Sequence, residues 1–418
     1  RIVEHCAKRQ GACHRRGDFF TVAGRLDGIH EANRQQTYAR GDAALSASAY
    51  HTNATAATTH AVETEIKKHA ARTVRQPDTL YDLHFDNKMM LISFLITAYN
   101  LEEWMLRRCI DSVLAQGLPI SDFEVIVVDD GSEKPVAPLL RQYASENFIV
   151  HRQENGGPGA ARNKALELAS GTYILFVDGD DYLFRGSIVP LTHCLKQEKP
   201  DILHFSFRHC SESVPVRISF APITYRHYES GSHFMLAHHL TGCNWLQLFR
   251  LDLVRHHGLC YPVRLLHEDE EFITKLFFFA QKVIATDHPV YAYYFRRDSI
   301  VHHPSEEQVS RRLRNFLTVA KRLQEFAGEQ KPIASPMQQE ALQRKIDFLG
   351  VDFLLKTLRT DQPEHYLRTY LPQLKQMKLF PPAPRREGWS YRLFQLLAPT
   401  VTGRRILQLL DRYRAKKF

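Results

Sequence analysis

The chain has 418 residues, of which 44% are hydrophobic and 24% are charged, the balance of a folded globular protein with two or three domains. Its seven cysteines include no C-x-x-C pair, which argues against a zinc site or a disulfide framework. No apolar run reaches the roughly 18 residues of a transmembrane helix, and no signal peptide is expected. The net charge of +9 comes mostly from residues 381–418, with nine Lys and Arg against two acids, so no nucleic-acid partner is predicted.

The first 88 residues differ in composition from the rest. They are rich in His, Thr, Ala and Arg, as in SASAYHTNATAATTHAVETE, and they show neither helical nor strand periodicity. Such a composition buries too little apolar surface to offset the entropy of an ordered chain. We therefore predict that residues 1–88 are a disordered extension, or upstream sequence translated in frame; the alternative is a genuine N-terminal domain.

From residue 89 the chain alternates between apolar runs of strand length and helical patterns. Strands are predicted in LISFLITA, FEVIVV, FIVHRQ and TYILFV, and the longest helices between them in EEWMLRRCIDSVLAQG and GPGAARNKALELASG. These strands are apolar on both faces, which is typical of a mostly parallel sheet covered by helices. The predicted fold class is therefore α/β, with a Rossmann-like sheet flanked by helices.

Acidic residues follow two of these strands at their carboxyl ends, where ligands bind in such sheets. FEVIVV runs into Asp129 and Asp130, and TYILFV runs into Asp178, Asp180 and Asp181. Carboxylates this close together repel one another unless a divalent cation neutralises them, and oxygen ligands suit Mg²⁺ or Mn²⁺. The alternative is that they are ordinary aspartates of turns and helix caps. Two clusters at one sheet edge favour the metal site, and the metal would hold a diphosphate.

The stretch ENGGPGAARN opens the helix that follows the third strand. Its backbone N–H groups could bind phosphate, but Gly156, Gly157 and Gly159 do not have the G-x-G-x-x-G spacing, and the chain has no P-loop G-K-[ST]. A dinucleotide-binding or ATPase site is therefore not favoured. Arg162 lies a few residues into this helix and is a candidate contact to a phosphate or a base; the alternative is an exposed helix arginine.

The sequence resembles an inverting family 2 glycosyltransferase of the GT-A fold. The resemblance rests on these pieces, in chain order: SFLITAYN, CIDSVLAQ, FEVIVVDDGS, NGGPGAARNKALELASGTYILFVDGDDYL, NWLQLFRLDLVRHHGL, LHEDEEF and VYAYYFRRDSI. The resemblance covers roughly half of the chain and is vague beyond about residue 305. It is greatest to the bacterial enzymes that build capsular polysaccharide, exopolysaccharide or lipopolysaccharide. It implies a GT-A Rossmann-like, mostly parallel sheet with a helical C-terminal extension.

The resemblance assigns roles to residues of the nucleotide-sugar site. It implies a base pocket, a contact to the nucleotide and a D-x-D metal pair, formed by Thr97, Tyr99, Asp130, Arg162, Asp178 and Asp180. Asp130 would accept a hydrogen bond from the uracil N–H. Asp178 would lie near the ribose and Asp180 on the cation, Mn²⁺ or Mg²⁺, while Asp181 would support the loop.

The resemblance places the catalytic base in LHEDEEF. Glu268 and Asp269 fall on the family's E-D pair, with Asp269 as the base; this sequence departs from the family pattern by having four consecutive acids, Glu268 to Glu271. Inverting transfer needs a carboxylate that deprotonates the acceptor hydroxyl and a cation that neutralises the leaving diphosphate. The alternative for these acids is a solvated first helical turn, where acids favour the helix dipole.

Three further features are weighed between a site and the core. Trp245 in CNWLQLFR is a candidate platform for the acceptor sugar. His302 and His303 stand where some relatives supply a further contact to the metal or the diphosphate; the alternative is structural or exposed histidines. The run VYAYYF is predicted to be a buried strand.

The predicted parts are the extension 1–88, a glycosyltransferase domain 89–304, a helical extension 305–380 and a basic amphipathic tail 381–418. The tail has an apolar stripe of Ile406, Leu407, Leu410 and Tyr413 beside its basic residues. That pattern suits an interfacial helix on an anionic membrane; the alternative is a helix packed on the catalytic domain.

The predicted function is metal-dependent transfer of a sugar from a nucleotide-sugar, a UDP-sugar, to a saccharide or lipid-linked acceptor. The expected setting is cell-surface polysaccharide synthesis, in the cytoplasm or on the inner face of the plasma membrane. A sugar nucleotidyltransferase is the competing enzyme class, but it needs a glycine-rich basic loop after the first strand, where this chain has TAYNLEEW. A degenerate carbohydrate-binding homologue is the second alternative, and Asp178, Asp180 and Asp269 argue against it.

Overall fold

One sheet organises the first part of the described chain. The computed structural model describes residues 90–210, 218, 220–294, 305–384 and 388–415, so the predictions for residues 1–88 and for His302 and His303 lie outside the described residues. The strands of the sheet are β1 Ile92–Ala98, β2 Phe123–Asp129, β3 Phe148–Arg152, β4 Tyr173–Asp178, β5 Tyr182–Leu183, β6 Ile202–Cys210, β7 Tyr225–Tyr228, β8 Gln247–Arg250 and β9 Val283–Tyr294.

The helices of the described residues lie between these strands and after them. They are α1 Glu103–Leu114, α2 Ala137–Leu140, α3 Pro158–Leu168, α4 Val189–Gln197, α5 Gly231–Ala237, α6 Leu251–His256, α7 Glu268–Phe279, α8 Glu306–Gln330, α9 Pro336–Leu358, α10 Pro363–Gln376, α11 Trp389–Leu397 and α12 Val401–Ala415.

The strands run in the order β3-β2-β1-β4-β8-β6-β9-β5, and β7 also pairs with β9. The four strands β3, β2, β1 and β4 are parallel, as the apolar runs predict, while β8 is antiparallel to both β4 and β6. In the parallel part, Thr97 of β1 is aligned with Val128 of β2 and with Asp178 of β4. The carboxyl ends of these strands therefore meet at one edge, which confirms the predicted α/β class.

The sheet is buried on both faces. One face packs against α1 and α4 through residues such as Leu106, Ile110 and Leu191, and the other packs against α3 and α7 through residues such as Ala161 and Phe272. At roughly 25 cal/mol per Å² of apolar surface buried, these two layers supply the main driving force for folding. They also fix α3 and α7, whose N-terminal ends reach the carboxyl edge of the sheet.

Helices α8, α9 and α10 form a separate hydrophobic core with part of the tail. The core includes Leu317 of α8, Leu349 of α9 and Leu374 of α10, and Phe278 of α7 joins it from the sheet domain. The C-terminal helices predicted from the sequence are thus present, and they pack directly against α7. The predicted boundary at residue 304 lies in the segment 295–304, outside the described residues.

The tail is two helices rather than one free amphipathic helix. Leu407, which we expected on the exposed apolar stripe, is only 3% exposed and belongs to the core of α8–α10. Arg404 also faces inward, with Nε and Nη2 at 2.9 and 2.8 Å from the carboxylate of Glu364. Arg359, the residue directly after α9, binds Asp411 in the same manner. The prediction that Leu407 lies on an exposed apolar stripe is therefore wrong. The ion pairs of Arg404 and Asp411 turn the face of α12 that carries Leu407 toward α9 and α10.

No helix in the described part of the chain is both long enough and apolar enough to cross a bilayer.

Candidate active site

The loop after β4 carries Asp178, Asp180 and Asp181 at the carboxyl edge of the sheet. Gly179 separates the first two because a Cβ there would lie 2.9 Å from the carbonyl oxygen of Thr97 and 2.5 Å from Leu101 Cδ1. Asp178 and Asp180 are partly exposed, whereas Asp181 is buried. The loop therefore presents two carboxylates to the solvent side and turns the third inward.

Asp181 anchors this loop to the end of β9. Its Oδ2 accepts a hydrogen bond from the Tyr291 hydroxyl at 2.7 Å, and its Oδ1 accepts one from the Tyr294 backbone N–H at 2.7 Å. The Tyr291 hydroxyl in turn accepts from the backbone N–H of Asp178 at 3.1 Å. Burial raises the pKa of Asp181 well above its ordinary value, and the charges of Asp180 and Asp178 raise it further. The geometry matches a supporting role for Asp181.

Arg108 of α1 holds the same loop from the other side. Its guanidinium carbon lies 5.0, 4.7 and 4.2 Å from the ring centroids of Trp104, Tyr182 and Tyr294. Its Nη2 donates a hydrogen bond of 2.6 Å to the backbone carbonyl of Asp180. A guanidinium enclosed by aromatic rings gains cation–π stabilisation and has little freedom to move. Arg108 therefore fixes the main chain at Asp180.

Asp130 binds the glycine turn that opens α3. Its Oδ1 accepts hydrogen bonds from Gln153 Nε2 at 2.8 Å and from the Gly156 N–H at 2.9 Å, and its Oδ2 accepts from the Gly157 N–H at 2.9 Å. Gly157 has φ +85°, a conformation that favours glycine. Asp130 therefore shapes this turn, and its contact to a uracil stays a prediction.

The other predicted base-pocket residues stand at the end of β1. Thr97 is partly exposed and Tyr99 is exposed, so both side chains can be reached from solvent, and their contact to a base stays a prediction. The next residue, Asn100, ties this end to the β2 loop: its N–H donates to Ser132 Oγ at 3.0 Å, and its Oδ1 accepts from the Glu133 N–H at 2.8 Å. The ends of β1 and β2 therefore form one connected rim.

Arg162 joins the end of β4 to the start of α7. Its Nη1 donates to Glu268 Oε1, and its Nη2 lies 3.4 Å from Asp178 Oδ1. Arg162 is buried; burial lowers its pKa, but the charges of Asp178 and Glu268 raise it more, so the group keeps its charge. The structure thus brings together predicted site residues that are about ninety positions apart in the sequence.

The four consecutive acids at the start of α7 have different surroundings. Glu268 is bound by Arg162, Glu270 by Lys345 at 2.6 Å, and Glu271 by Lys275 and Arg322, each at 2.5 Å. Among the described residues, no cation forms an ion pair with Asp269, whose Oδ1 accepts only the N–H of its neighbour Glu270 at 3.0 Å. Asp269 is also partly exposed. It is therefore the carboxylate of this row that is available to a substrate.

The pKa of Asp269 lies well above the ordinary value of an aspartate. Burial is the first cause, and the negative charges of Glu268 and Glu270 add to it, while Arg162 acts in the opposite direction. The pKa of Glu270 is lowered instead, because Lys345 outweighs the effect of burial. A carboxylate with a raised pKa is a stronger base, and such perturbed groups are frequent at active sites.

A comparison with protein families identifies the sheet domain. The family model described as Glycosyl transferase family 2 matches residues 93–254. Those residues are a family 2 glycosyltransferase domain. The match covers the rim at β1 and β2, Arg162 and the loop after β4, and it ends before the acids of α7.

Curated relatives of this family 2 domain are bacterial glycosyltransferases. The putative glycosyltransferase EpsH of Bacillus subtilis is 29% identical over 242 residues, which cover 56% of this chain and 69% of the relative. The poly(ribitol-phosphate) beta-N-acetylglucosaminyltransferase TarS of Staphylococcus aureus is 26% identical over 227 residues, covering 53% and 38%. The poly(ribitol-phosphate) beta-glucosyltransferase of Bacillus spizizenii is 40% identical over 117 residues, covering 27% and 18%. The chain thus spans less than two thirds of the length of most of these relatives.

Solved structures support the fold of the family 2 domain. The crystal structure of S. aureus TarS 1-349 in complex with UDP-GlcNAc aligns with a TM-score of 0.51 at 20% identity, covering 78% of this chain and 89% of that chain. At this identity the likeness concerns the fold. It confirms the GT-A fold that the sequence predicts.

Trp245 is not placed to receive an acceptor sugar. Its side chain is 6% exposed and stacks on Tyr291 with ring centroids 4.4 Å apart and an interplanar angle of 17°. Tyr293 and Phe207 pack against it as well. The acceptor role predicted for Trp245 is therefore contradicted by its burial. Val290 to Tyr294 of the run VYAYYF belong to strand β9, and Val290, Tyr291 and Ala292 are buried, as expected.

The family 2 domain offers two carboxylates, rather than a closed cage, to a divalent cation. Within the part of the chain that the structure describes, no group of three or more His, Cys, Asp and Glu side chains is arranged to hold a metal ion. Asp178 and Asp180 are both partly exposed on one short loop. Mg²⁺ is usually held by one or two carboxylates with substrate phosphates and water as the remaining ligands. This donor set fits a cation that binds together with a diphosphate.

Sequence reasoning missed the residues that hold these carboxylates in place. Arg108 and Arg107 are adjacent in the sequence, yet Arg108 is buried against Asp180 whereas Arg107 forms a partly exposed pair with Glu103. Lys345 and Arg322 belong to helices where the resemblance is vague. No local signal separates such arginines and lysines from ordinary helix residues, because their partners lie 51 to 75 positions away.

Proposed function

We propose that this chain is an inverting, metal-dependent glycosyltransferase that takes its sugar from a UDP-sugar. The observation that carries the proposal is the position of Arg162, which contacts both Asp178 and Glu268. Through it, the D-x-D loop and the acidic turn of α7 share one site at the carboxyl edge of the sheet. A leaving diphosphate and an acceptor hydroxyl are the two reacting groups that such a site would have to serve.

The donor proposed here is a nucleotide-sugar with a uracil base. S. aureus TarS, whose fold this chain shares, has been crystallised with UDP-GlcNAc and with UDP. In this chain the rim of Thr97, Tyr99 and Asp130 would receive the base. The exposed Tyr99 ring could lie against the uracil. Asp130 could accept a hydrogen bond from the uracil N–H while it keeps its hydrogen bonds from the backbone N–H groups of Gly156 and Gly157.

Asp178 and Asp180 would hold the cation, Mn²⁺ or Mg²⁺, which would neutralise charge on the leaving diphosphate. Asp181 and Arg108 would keep these two carboxylates in position through β9 and α1. Arg162 would hold Asp178 from the protein side and bring a positive charge toward the nucleotide. The donor would thus be bound by oxygen ligands and by a fixed guanidinium.

Asp269 would act as the general base. It would accept the proton of the acceptor hydroxyl while that oxygen attacks the anomeric carbon from the face opposite the diphosphate, which inverts the configuration. Glu268 would not serve, because it is buried and bound by Arg162. Its role would be to fix Arg162 and the first turn of α7.

The test is hydrolysis of a panel of UDP- and GDP-sugars with Mn²⁺, with Mg²⁺ and with EDTA. We expect release of UDP from one or more UDP-sugars, its loss in EDTA, and its loss in Asp180→Ala. Asp269→Asn should bind the donor but should not transfer the sugar to an acceptor. Full activity of Asp180→Ala, or activity unchanged by EDTA, would contradict the metal role.

The same assay separates the competing functions. A sugar nucleotidyltransferase would release pyrophosphate from a nucleoside triphosphate and a sugar 1-phosphate. A carbohydrate-binding homologue would bind saccharides and leave every nucleotide-sugar intact. Either result would replace the proposal made here.

We further propose that the tail brings the enzyme to the cytoplasmic face of an anionic membrane, where a lipid-linked acceptor would lie. The outward stripe of α12 consists of exposed residues one turn apart: Val401, Thr402, Arg405, Ile406, Leu409 and Leu410. Helix α11 adds the exposed Trp389, Arg392 and Leu396. Apolar and aromatic side chains beside arginines, with no acid among them, suit the interface of anionic lipids.

Vesicle co-sedimentation tests this surface. We expect the protein to bind vesicles of phosphatidylglycerol and phosphatidylcholine, to bind pure phosphatidylcholine weakly, and to lose binding as salt rises. The variant Ile406→Ser, Leu409→Ser, Leu410→Ser should lose the binding, whereas Ile333→Ser, an exposed control in the turn before α9, should not. Equal binding of both vesicle types, or full binding by the triple variant, would refute the membrane role.

A further inference from the structure

The turn that leads into the base Asp269 has an unusual backbone. Arg264 and His267 both have positive φ, at 57° and 64°, although neither is glycine. Such conformations are unfavourable for residues with a Cβ and persist only where the surroundings enforce them. His267 directly precedes α7, so its backbone sets the direction in which Asp269 leaves the turn.

The C-terminal helices supply much of that enforcement. The Phe316 ring of α8 packs edge-on against the His267 ring with centroids 5.2 Å apart, and Leu265 packs on the core of α8–α10. Arg322 of α8 binds both carboxylate oxygens of Glu271 at 2.5 and 3.0 Å. The start of α7 is therefore held by residues that lie outside the matched family 2 domain.

Lys345 of α9 makes the most deeply buried of these contacts. Its side chain is 3% exposed, and its Nζ donates to Glu270 Oε2 at 2.6 Å and to the backbone carbonyl of Leu240 at 2.7 Å. One ammonium thus ties the residue next to Asp269 to the loop that follows α5. Gly242 of this loop lies so close to Glu270 that a Cβ there would be 2.6 Å from its Cδ.

We propose that Lys345 is a positioning residue for the reaction: by joining Glu270 to the Leu240 carbonyl, it holds the first turn of α7 so that Asp269 faces the acceptor. The inference rests on the proposed role of Asp269 as the base. The helical extension would then do more than pack against the sheet domain. Through Lys345 it would also help to position the catalytic base.

Four variants separate positioning from simple charge neutralisation. Lys345→Met removes both hydrogen bonds and leaves Glu270, which is only partly exposed, without its cation. Glu270→Gln keeps an oxygen that can accept from Lys345. The double variant Lys345→Met, Glu270→Gln removes the buried charges together, which is often tolerated in stability. Lys321→Met, on the exposed pair with Glu325, is the matched control.

We expect Lys345→Met to lower kcat by about 10²-fold, the cost of a small displacement of a catalytic group, with the KM for the donor nearly unchanged. The double variant should recover the melting temperature of wild type but not its kcat, because the link to Leu240 stays broken. Hydrogen exchange of the segment 258–270 should be faster in both. Glu270→Gln should retain more of kcat than Lys345→Met, because its amide oxygen can still accept from Lys345 and the link to Leu240 remains. Lys321→Met should leave kcat and exchange close to wild type.

Two results would overturn the inference. The first is recovery of kcat together with stability in the double variant, which would reduce Lys345 to a neutralising charge. The second is an unchanged exchange rate of the segment 258–270 in Lys345→Met. The exchange experiment does not depend on turnover, so an inactive wild-type protein would refute the proposed function and leave this measurement interpretable.

Discussion

Replacing Arg162 with Met should reveal how strongly the two halves of the site depend on one another. The substitution keeps an unbranched side chain of similar length but removes the contacts to Glu268 and Asp178. The Arg162 side chain is 10% exposed and that of Glu268 is 6% exposed, so water cannot replace the lost partner. A buried carboxylate would be left without its counter-charge.

The size of the effect follows from this burial. Removing one partner of a buried ion pair destabilises a protein by about 3–5 kcal/mol. For domains of 150–250 residues, 1 kcal/mol shifts the melting temperature by roughly 2–4 °C, and larger units shift less. We therefore expect Arg162→Met to melt about 6–10 °C below wild type, using the lower coefficient.

Thermal unfolding followed by circular dichroism measures this shift, and a double-mutant cycle isolates its cause. Arg162→Met, Glu268→Gln should recover most of the loss, because the buried charge disappears with its partner. Arg250→Met is the matched control: its pair with Asp252 has side chains 32% and 62% exposed, and exposed pairs contribute about 0–1 kcal/mol.

A melting temperature of Arg162→Met within the range of the Arg250→Met control would refute this reasoning. So would a double variant that is less stable than Arg162→Met, since the cost would then not come from Glu268. In either case Arg162 would not be the element that joins the end of β4 to α7.

Three other outcomes are expected. The pKa of Asp269 is raised, and the base must be deprotonated to act, so kcat/KM should fall on acidification at a pH above the ordinary pKa of an aspartate. A pH profile in which kcat/KM falls only near that ordinary pKa would contradict this. Arg108→Ala should raise the Mn²⁺ concentration needed for half-maximal activity, while Arg107→Ala should not, and equal values would exclude Arg108 as a support of Asp180. A chain that begins at Met89 should match the full chain in melting temperature and activity, and a large drop would show that residues 1–88 pack on the domain.

The parallel half of the fold could be predicted because its strands are buried on both faces. LISFLITA and FEVIVV are continuous apolar runs, and the structure buries nearly every residue of β1 and β2. The acids that follow such strands must lie at one edge of the sheet, so the sequence alone predicts where Asp130 and Asp178 lie. For these acids, the apolar run of the preceding strand is enough to predict their position at the sheet edge.

The antiparallel half could not be predicted in this manner. Strands β5, β7 and β8 have two to four residues, too few to show a period, and their direction depends on partners far away in the chain. Trp245 illustrates the consequence. In the sequence it resembles an exposed sugar platform, but the pairing of β9 places Tyr291 against its ring.

The four acids Glu268 to Glu271 at the start of α7 depend on cations from distant parts of the described chain. Four adjacent carboxylates at one helix end repel one another, and the helix dipole offsets only part of that cost. The structure neutralises three of them with cations from different elements: Arg162 of α3, Lys345 of α9, and Arg322 of α8 together with Lys275. These partners are 51 to 106 positions away or on the same helix, so the sequence cannot indicate which acid is left over. Asp269 is the one acid of this row that these cations leave unpaired. The resemblance suggests Asp269 as the base, and the packing of α3, α8 and α9 around its neighbours is what makes it the candidate in the structure.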